Sequence, residues 1–263
     1  IMSLDACSSG IQIMAAVTGC QQAARHCGLI NTGKRENFYR HITDHMGKSL
    51  PPAAVQKFPY EKVKDAGMTV FYGSRAQPKK LFGKGTPAFK SFYSALHHLA
   101  PGPMKLMNIM QSHWKPDALV YNWVMPDKHH VVAKVTDKVD KRIEVDELEH
   151  ATFTYRAEVN MPQKDGLSLA ANIVHSIDGY IVREMFRRMN KEGLQMAAIH
   201  DSFWASPNDM NSIRRHYIKI LSELAQSNIM QNILNQIAGT KTIYQKRSNR
   251  LDLLILKSDY ALS

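Results

Sequence analysis

The chain has 263 residues, with 34 Lys plus Arg against 23 Asp plus Glu and a formal net charge of +11. Hydrophobic residues make up 44%, close to the globular level of roughly 45–50%, so a sizeable core can form and a disordered basic tail is excluded. No apolar run approaches the roughly 20 residues of a bilayer span, and no leader of signal-peptide pattern opens the chain. The three cysteines, Cys7, Cys20 and Cys27, form no Cys-x-x-Cys pair. That excludes a disulfide framework and a zinc knuckle and fits a reducing cytosol. The expectation is a soluble intracellular protein with a polyanionic partner, nucleic acid ahead of an anionic membrane.

Ile1 to Asp5 reads as the end of a buried strand, which predicts further sequence upstream. Ser8-Ser9-Gly10 then opens an apolar-periodic helix expected to stop near Gly28, and a second helix is predicted from Lys34 to His45. Pro51, Pro52 and Pro59 punctuate a loop. Tyr60 to Tyr72 has helical spacing and ends at Gly73, a residue suited to a helix C-terminal cap. Two more helices, Thr86 to Leu99 and Pro103 to Trp114, precede a change of texture. Leu119–Val124, His130–Val135, Arg142–Val145 and Ala151–Ala157 favour strands. A long helix follows from Leu167 to Asn190. The apolar runs 194–199 and 203–205 flank His200-Asp201-Ser202, which puts Asp201 at a hairpin tip, and a helix from Asn208 to Gln226 comes next. No repeat or flexible linker interrupts this order.

Asp5 and Asp201 each end an apolar strand, where a sheet holds a carboxylate in a fixed direction. Two carboxylates converging from separate strands can share two divalent ions for phosphoryl transfer, and hard oxygen ligands select magnesium. Each aspartate taken alone is equally a turn residue. Tyr60, Lys64, Met68 and Tyr72 recur every four residues on one helical face, offering a cation and phenols to a triphosphate, a sugar or a base. The same pattern also describes an amphipathic helix with a snorkelling lysine. From Lys57 to Lys90 eight basic residues stand against Glu61 and Asp65, a surface suited to a phosphate backbone. His41 and His45 share a helical face, but with no glutamate beside them and no third ligand a zinc site is disfavoured. The Met104–Met110 cluster reads as core packing, the pairs His97-His98 and His129-His130 as surface, and Cys7 as a buried inert thiol.

Three ordered motifs resemble the single-subunit RNA polymerases of phage and mitochondrial type, relatives of the family A DNA polymerases. Asp5-Ala6-Cys7-Ser8-Ser9-Gly10-Ile11-Gln12 resembles motif A. Lys64 through Met68-Thr69-Val70-Phe71-Tyr72-Gly73-Ser74 resembles motif B, and His200-Asp201-Ser202-Phe203 resembles motif C. Trp123-Val124-Met125-Pro126-Asp127, the segment Asn172–Gly179 and the closing Lys257–Ser263 agree with the same family. The resemblance implies an α/β fold, mainly helical, with a right-hand palm and fingers, a small antiparallel palm sheet and a strand-rich excursion. It divides the chain into palm at 1–30, fingers at 31–116, excursion at 117–165, palm again at 166–230 and a C-terminal foot at 231–263.

The implied function is that of the catalytic portion of a DNA-dependent RNA polymerase. Asp5 and Asp201, with the Ala6 carbonyl, would bind two Mg2+. Lys64, Tyr60, Tyr72 and Gly73 would serve the incoming ribonucleoside triphosphate, with Tyr72 helping to select the sugar. His175, His200 and Ser202 would contact the RNA 3′ end or the hybrid, and Ser202 marks the RNA branch. Implied partners are the DNA template, the RNA transcript, ribonucleoside triphosphates and a second chain or N-terminal half carrying the thumb and N-terminal domain; no membrane is implied. The expected location is the cytoplasm of a phage-infected bacterium, ahead of a mitochondrion. The alternatives are a family A-like DNA polymerase fragment and a nucleic-acid-binding subunit without catalysis of its own. Two departures stand out. Tyr60 replaces the family's arginine four residues before the lysine, which passes triphosphate contacts to Lys57, Lys62 or a partner. Leu262 stands where the foot usually carries an aromatic residue.

Overall fold

In the computed structural model, which describes residues 1–164, 166, 168–248 and 250–263, twelve helices and seven strands follow one another among the described residues. The expected first helix is two: α1 (Ser9–Thr18) and α2 (Gln21–His26). The break falls at Gly19, which takes a left-handed conformation (φ 64°) and whose missing side chain leaves room for the Ser248 backbone; only glycine satisfies both demands at no cost. Helix α3 (Phe38–Ser49) begins later than expected because the Asn37 side chain accepts from the backbone N–H groups of Tyr39 and Arg40, fixing its start. Next come α4 (Pro52–Val55), α5 (Tyr60–Val70), α6 (Ala76–Phe82), α7 (Pro87–Leu99) and α8 (Pro101–Ser112). Gly73 adopts a positive φ of 86° just past α5 and donates to the Val70 carbonyl, the capping role its position predicts.

β1 (Met2–Asp5), β2 (Val120–Val124), β3 (His130–Lys134), β4 (Thr136–Val145), β5 (Ala151–Asn160), β6 (Met196–Ile199) and β7 (Ser202–Ala205) form three small antiparallel sheets, ordered β1-β7-β6, β2-β3 and β4-β5. β4 and β5 are longer than the sequence pattern suggests and largely exposed. Helix α9 (Ser168–Lys191) separates the excursion from β6; the expected start at Leu167 and the expected excursion limit at residue 165 lie outside the described residues. α10 (Met210–Gln226), α11 (Ile229–Ala238) and α12 (Leu251–Ile255) complete the order, the last two unforeseen by the pattern.

The core is continuous. α1 is buried along its whole length and packs on α8, α9 and α10, so the helix that follows the Asp5 strand is the central rod of the molecule. At its middle the fully buried Gln12 donates to the carbonyls of Cys27 and Ala261 at 2.9 and 3.0 Å and accepts from the Tyr217 hydroxyl at 2.8 Å. Buried polar groups must be paired in this way, and a satisfied network fixes one arrangement of the elements around it. Met104, Met107 and Met110 are buried in the same core, as the sequence suggested, while both histidine pairs lie at the surface. The result is a mainly helical α/β arrangement of palm-and-fingers type around a small antiparallel sheet.

Candidate active site

The β1-β7-β6 sheet brings the two strand-end aspartates together. Ile199 pairs with Ser202 across the β6-β7 turn, leaving His200 and Asp201 as its two loop residues. His200 takes the left-handed conformation (φ 55°) that lets so tight a turn close. Asp5 pairs with Ser202 in the neighbouring ladder, and the Ala6 N–H donates to the Asp201 carbonyl at 3.1 Å. On the other edge of β1, Asp5 exchanges backbone hydrogen bonds with Ser263, and the Cys7 N–H donates to Ala261. The carboxylates thus stand on backbone paired from both sides. Cys7 is half-buried rather than buried, because it lies on this edge; its thiol donates to the Tyr260 carbonyl at 2.9 Å.

α5 supplies the facing wall. Val63, Ala66, Gly67 and Val70 form its buried stripe, spaced as one helical face. A side chain at Gly67 would come within 2.9 Å of the Tyr39 ring, so glycine lets α5 settle closely on α3. The opposite face presents Lys64 and Met68, with Tyr72 just beyond the helix end. α9 contributes His175 and Asp178, one turn apart, while Ile173, Val174 and Ile177 fix that helix in the core. Ser176 accepts from the buried Trp123 indole at 3.1 Å, tying α9 to β2.

These walls enclose a cavity of about 500 Å³ lined by Asp5, Ala6, Lys64, Tyr72, His175, His200 and Asp201 among others. Tyr72 is held by three contacts: the Ser9 hydroxyl lies 3.3 Å from its OH, its ring centre is 4.8 Å from that of His175, and Gly10 leaves the space its ring edge occupies. Burial raises the pKa of Tyr72, so the phenol stays protonated at neutral pH. Burial, followed by the neighbouring His200, lowers the pKa of His175. Burial, followed by the Asp201 carboxylate, pushes Asp178 up to about 6. Three acids share this cavity, and crowded like charge of this kind is what a divalent cation relieves.

Three expected site residues stand elsewhere. Tyr60 is on the predicted face of α5 but outside the cavity lining, because its hydroxyl accepts from Asn37 at 2.8 Å and the Arg40 guanidinium lies 4.7 Å above its ring. Gly73 opens onto a separate cavity of about 420 Å³, with Arg75, Lys79 and Lys84 from the basic run. Ser202 lies in the ladder beside Asp5 and contributes no lining surface. Conversely, Asp178, Arg35, Tyr39 and Ser9 line the cavity without having been singled out. The Asp178–His175 spacing of one helical turn was the available signal; nothing in the sequence pointed to Arg35.

Two further clusters lie outside this cavity, and the first corrects the expectation for His41. His41 does have a glutamate beside it: Glu36, buried, lies 2.7 Å from its Nε2, and the His26 ring centre is 4.7 Å away. His45 instead packs on His98. At the β4-β5 turn the exposed Glu144, Asp146 and His150 stand close enough together to share a metal ion, with His150 Nδ1 3.0 Å from Glu144 and 3.3 Å from Asp146.

A palm-like sheet presenting two strand-end carboxylates to a lysine-bearing helix defines a scaffold of polymerase class. The family model for DNA-dependent RNA polymerase matches residues 90–257, and the chain belongs to that family of nucleotidyltransferases, of the single-subunit type found in phages and organelles. The match contains Asp201 and His175 and begins beyond Asp5 and Lys64. DNA-directed RNA polymerase 2B, chloroplastic/mitochondrial, of Nicotiana tabacum is 24% identical over 169 residues, 62% of this chain and 16% of that protein. DNA-directed RNA polymerase 2A of the same plant is 24% identical over 169 residues, 49% of its own length. DNA-directed RNA polymerase 1, mitochondrial, of Arabidopsis thaliana is 28% identical over 87 residues, 9% of its length. The chain therefore spans less than half of each of these relatives. The chloroplastic and mitochondrial names among these relatives overturn the expected cytoplasm of a phage-infected bacterium.

Proposed function

We propose that the chain is the C-terminal catalytic portion of a DNA-dependent RNA polymerase, carrying out template-directed nucleotidyl transfer. The observation that carries this reading is the convergence of Asp5, Asp201, Lys64, Tyr72 and His175 on one cavity. The donor set fits magnesium: hard carboxylate oxygens from two paired strands, the Ala6 carbonyl beside them, and a third acid, Asp178, whose pKa is raised by burial and then by the neighbouring Asp201 carboxylate. Asp5 and Asp201 would hold two Mg2+, which when bound stabilise the attacking and leaving oxygens of phosphoryl transfer. Lys64 places a positive charge against the triphosphate, and Tyr72, kept protonated and braced by Ser9 and His175, closes over the ribose. His175 faces the newest base pair, and His200 with Ser202 supports the turn that presents Asp201. Catalysis then rests on positioning and preorganised charge.

In this reading residues 1–30 and 166–230 are palm, 31–116 fingers, 117–165 an excursion and 231–263 the foot. A second chain or an N-terminal half supplies the thumb; the exposed Ile199 and Trp204, on one face of the small sheet, give such a partner an apolar surface to cover. The partners are DNA template, RNA transcript and ribonucleoside triphosphates, matching the +11 charge. The test is RNA-primer extension on a DNA template with magnesium and either rNTPs or dNTPs, comparing the chain with its Asp201→Asn and Asp5→Asn variants. Extension with rNTPs that disappears in both variants, while template binding persists, is the expected result. Extension surviving in either variant overturns the assignment of the metal-binding carboxylates.

A further inference from the structure

The family's triphosphate site pairs the α5 lysine with an arginine one turn earlier, and here that place is held by Tyr60, which is committed to Asn37 and Arg40 and does not line the cavity. Lys57 and Lys62, the substitutes the sequence suggested, do not line it either. Lys64 alone would face a ligand bearing about four negative charges in a cavity that already holds three acids.

Resting on the polymerase reading above, we propose that Arg35, from the loop before α3, is the second cation for the triphosphate. Among the described residues Arg35 and Lys64 are the arginine and lysine side chains that line this cavity. The loop is built to present Arg35. Its neighbour Glu36 is buried and held by Thr32 at 2.7 Å and by His41 at 2.7 Å, which anchors the backbone next to Arg35, while Arg35 itself lines the cavity. The Asn31 side chain accepts from the Gly33 N–H at 2.8 Å, and Asn37 caps α3 two residues later. The loop is therefore fixed on both sides of Arg35, while the guanidinium itself has no hydrogen-bond or ion-pair partner among the described residues and remains exposed. A guanidinium offers a forked pair of donors that matches adjacent phosphate oxygens, which a lysine cannot reproduce. Tyr60 and Arg35 thus exchange duties relative to the family pattern: the helix position anchors the α3 cap, and the loop reaches the ligand.

The test is equilibrium binding of Mg-ATP, Mg-tripolyphosphate and AMP to the unmodified chain and to its Arg35→Ala, Arg35→Lys and Lys64→Ala variants, each also followed by thermal unfolding. Arg35→Ala should weaken ATP and tripolyphosphate by the same factor, roughly 10- to 100-fold for a lost charge-assisted hydrogen bond. AMP binding and the melting temperature should stay as they were, and Arg35→Lys should recover part of the loss. If Lys64→Ala weakens triphosphate while Arg35→Ala does not, the assignment of Arg35 fails and the polymerase reading survives. If the unmodified chain binds neither triphosphate nor tripolyphosphate, the reading of the cavity fails and takes Arg35 with it. An Arg35→Ala loss that extends equally to AMP, or comes with a lowered melting temperature, overturns the proposal in favour of a structural role for the loop.

Discussion

Replacing Gln12 by leucine keeps the volume of the central rod and removes one polar group at the point where three elements meet. The amide's three hydrogen bonds are all buried. After substitution the Ala261 carbonyl still accepts from the Cys7 N–H, so its loss is partial, but the Cys27 carbonyl and the Tyr217 hydroxyl are left without this partner. Each buried orphan costs about 1–3 kcal/mol, so the two give a loss of about 2–6 kcal/mol, a large share of a typical stability of about 5–15 kcal/mol. Urea unfolding measures it. Tyr217→Phe should cost less, about 1–2 kcal/mol, because only the Gln12 carbonyl oxygen is stranded. The two substitutions share a bond, so the double variant should fall short of their sum by about 1 kcal/mol. A Gln12→Leu protein within 1 kcal/mol of the parent, or strict additivity with Tyr217→Phe, would refute the idea that this network holds the rod in place.

Three other expectations follow from the site and its surroundings. Burial, then His41, drive the His26 pKa down from 6.5 to about 4. The neutral ring is thus favoured in the fold, and stability present above pH 6.5 is lost as the pH falls towards 4. Between pH 7 and pH 5 this loss should be about 1–2 kcal/mol after allowance for partial exposure, and His26→Gln should flatten that part of the stability profile; an unchanged profile refutes it. Magnesium at about 100 times its Kd should raise stability by about 2.7 kcal/mol and the melting temperature by about 5–10 °C, and EDTA should reverse the gain. Asp201→Asn should abolish that shift, whereas loss of the shift in Asp146→Asn instead would move the ion to the β4-β5 turn. Tyr72→Phe should leave rNTP incorporation largely intact and raise dNTP incorporation by roughly tenfold, the value of about one hydrogen bond; unchanged sugar preference in competitive extension argues against a role for the phenol.

The parts of the site that were legible in the sequence are those encoded locally. Two short apolar runs flanking His200-Asp201 announce a hairpin, and the four-residue spacing of Lys64, Met68 and Tyr72 announces a shared face. Convergence of Asp5 with Asp201 was not readable from spacing, since it depends on pairing across nearly 200 residues; only the motif order supplied it. Arg35 and the Glu36–His41 pair were illegible for the same reason, being contacts through space from a loop without periodicity. The break at Gly19 is not legible in the sequence because apolar residues continue on both sides, so the pattern of burial hides a turn that only backbone handedness reveals. Tyr60 illustrates the opposite error: its place on the face was right, but a helix cap from α3 claimed its hydroxyl.

The two-sided pairing of β1 also has a consequence in time. Asp5 lies near the beginning of this chain, yet its strand is bordered on one side by Ser202 and on the other by Ser263, and the side chains of Cys7 and Ser263 meet across 256 residues. At about 5–20 residues per second, a ribosome that has made the first carboxylate needs roughly 10–50 s to deliver the last stretch of backbone that braces it. Until β7 is made both edges of β1 are open to misregistered partners and to chaperones, and the edge that Ser263 borders stays open longest. The two-sided bracing of Asp5 is therefore completed only after roughly 200 to 260 further residues have been made, well after the helices of local sequence that surround it.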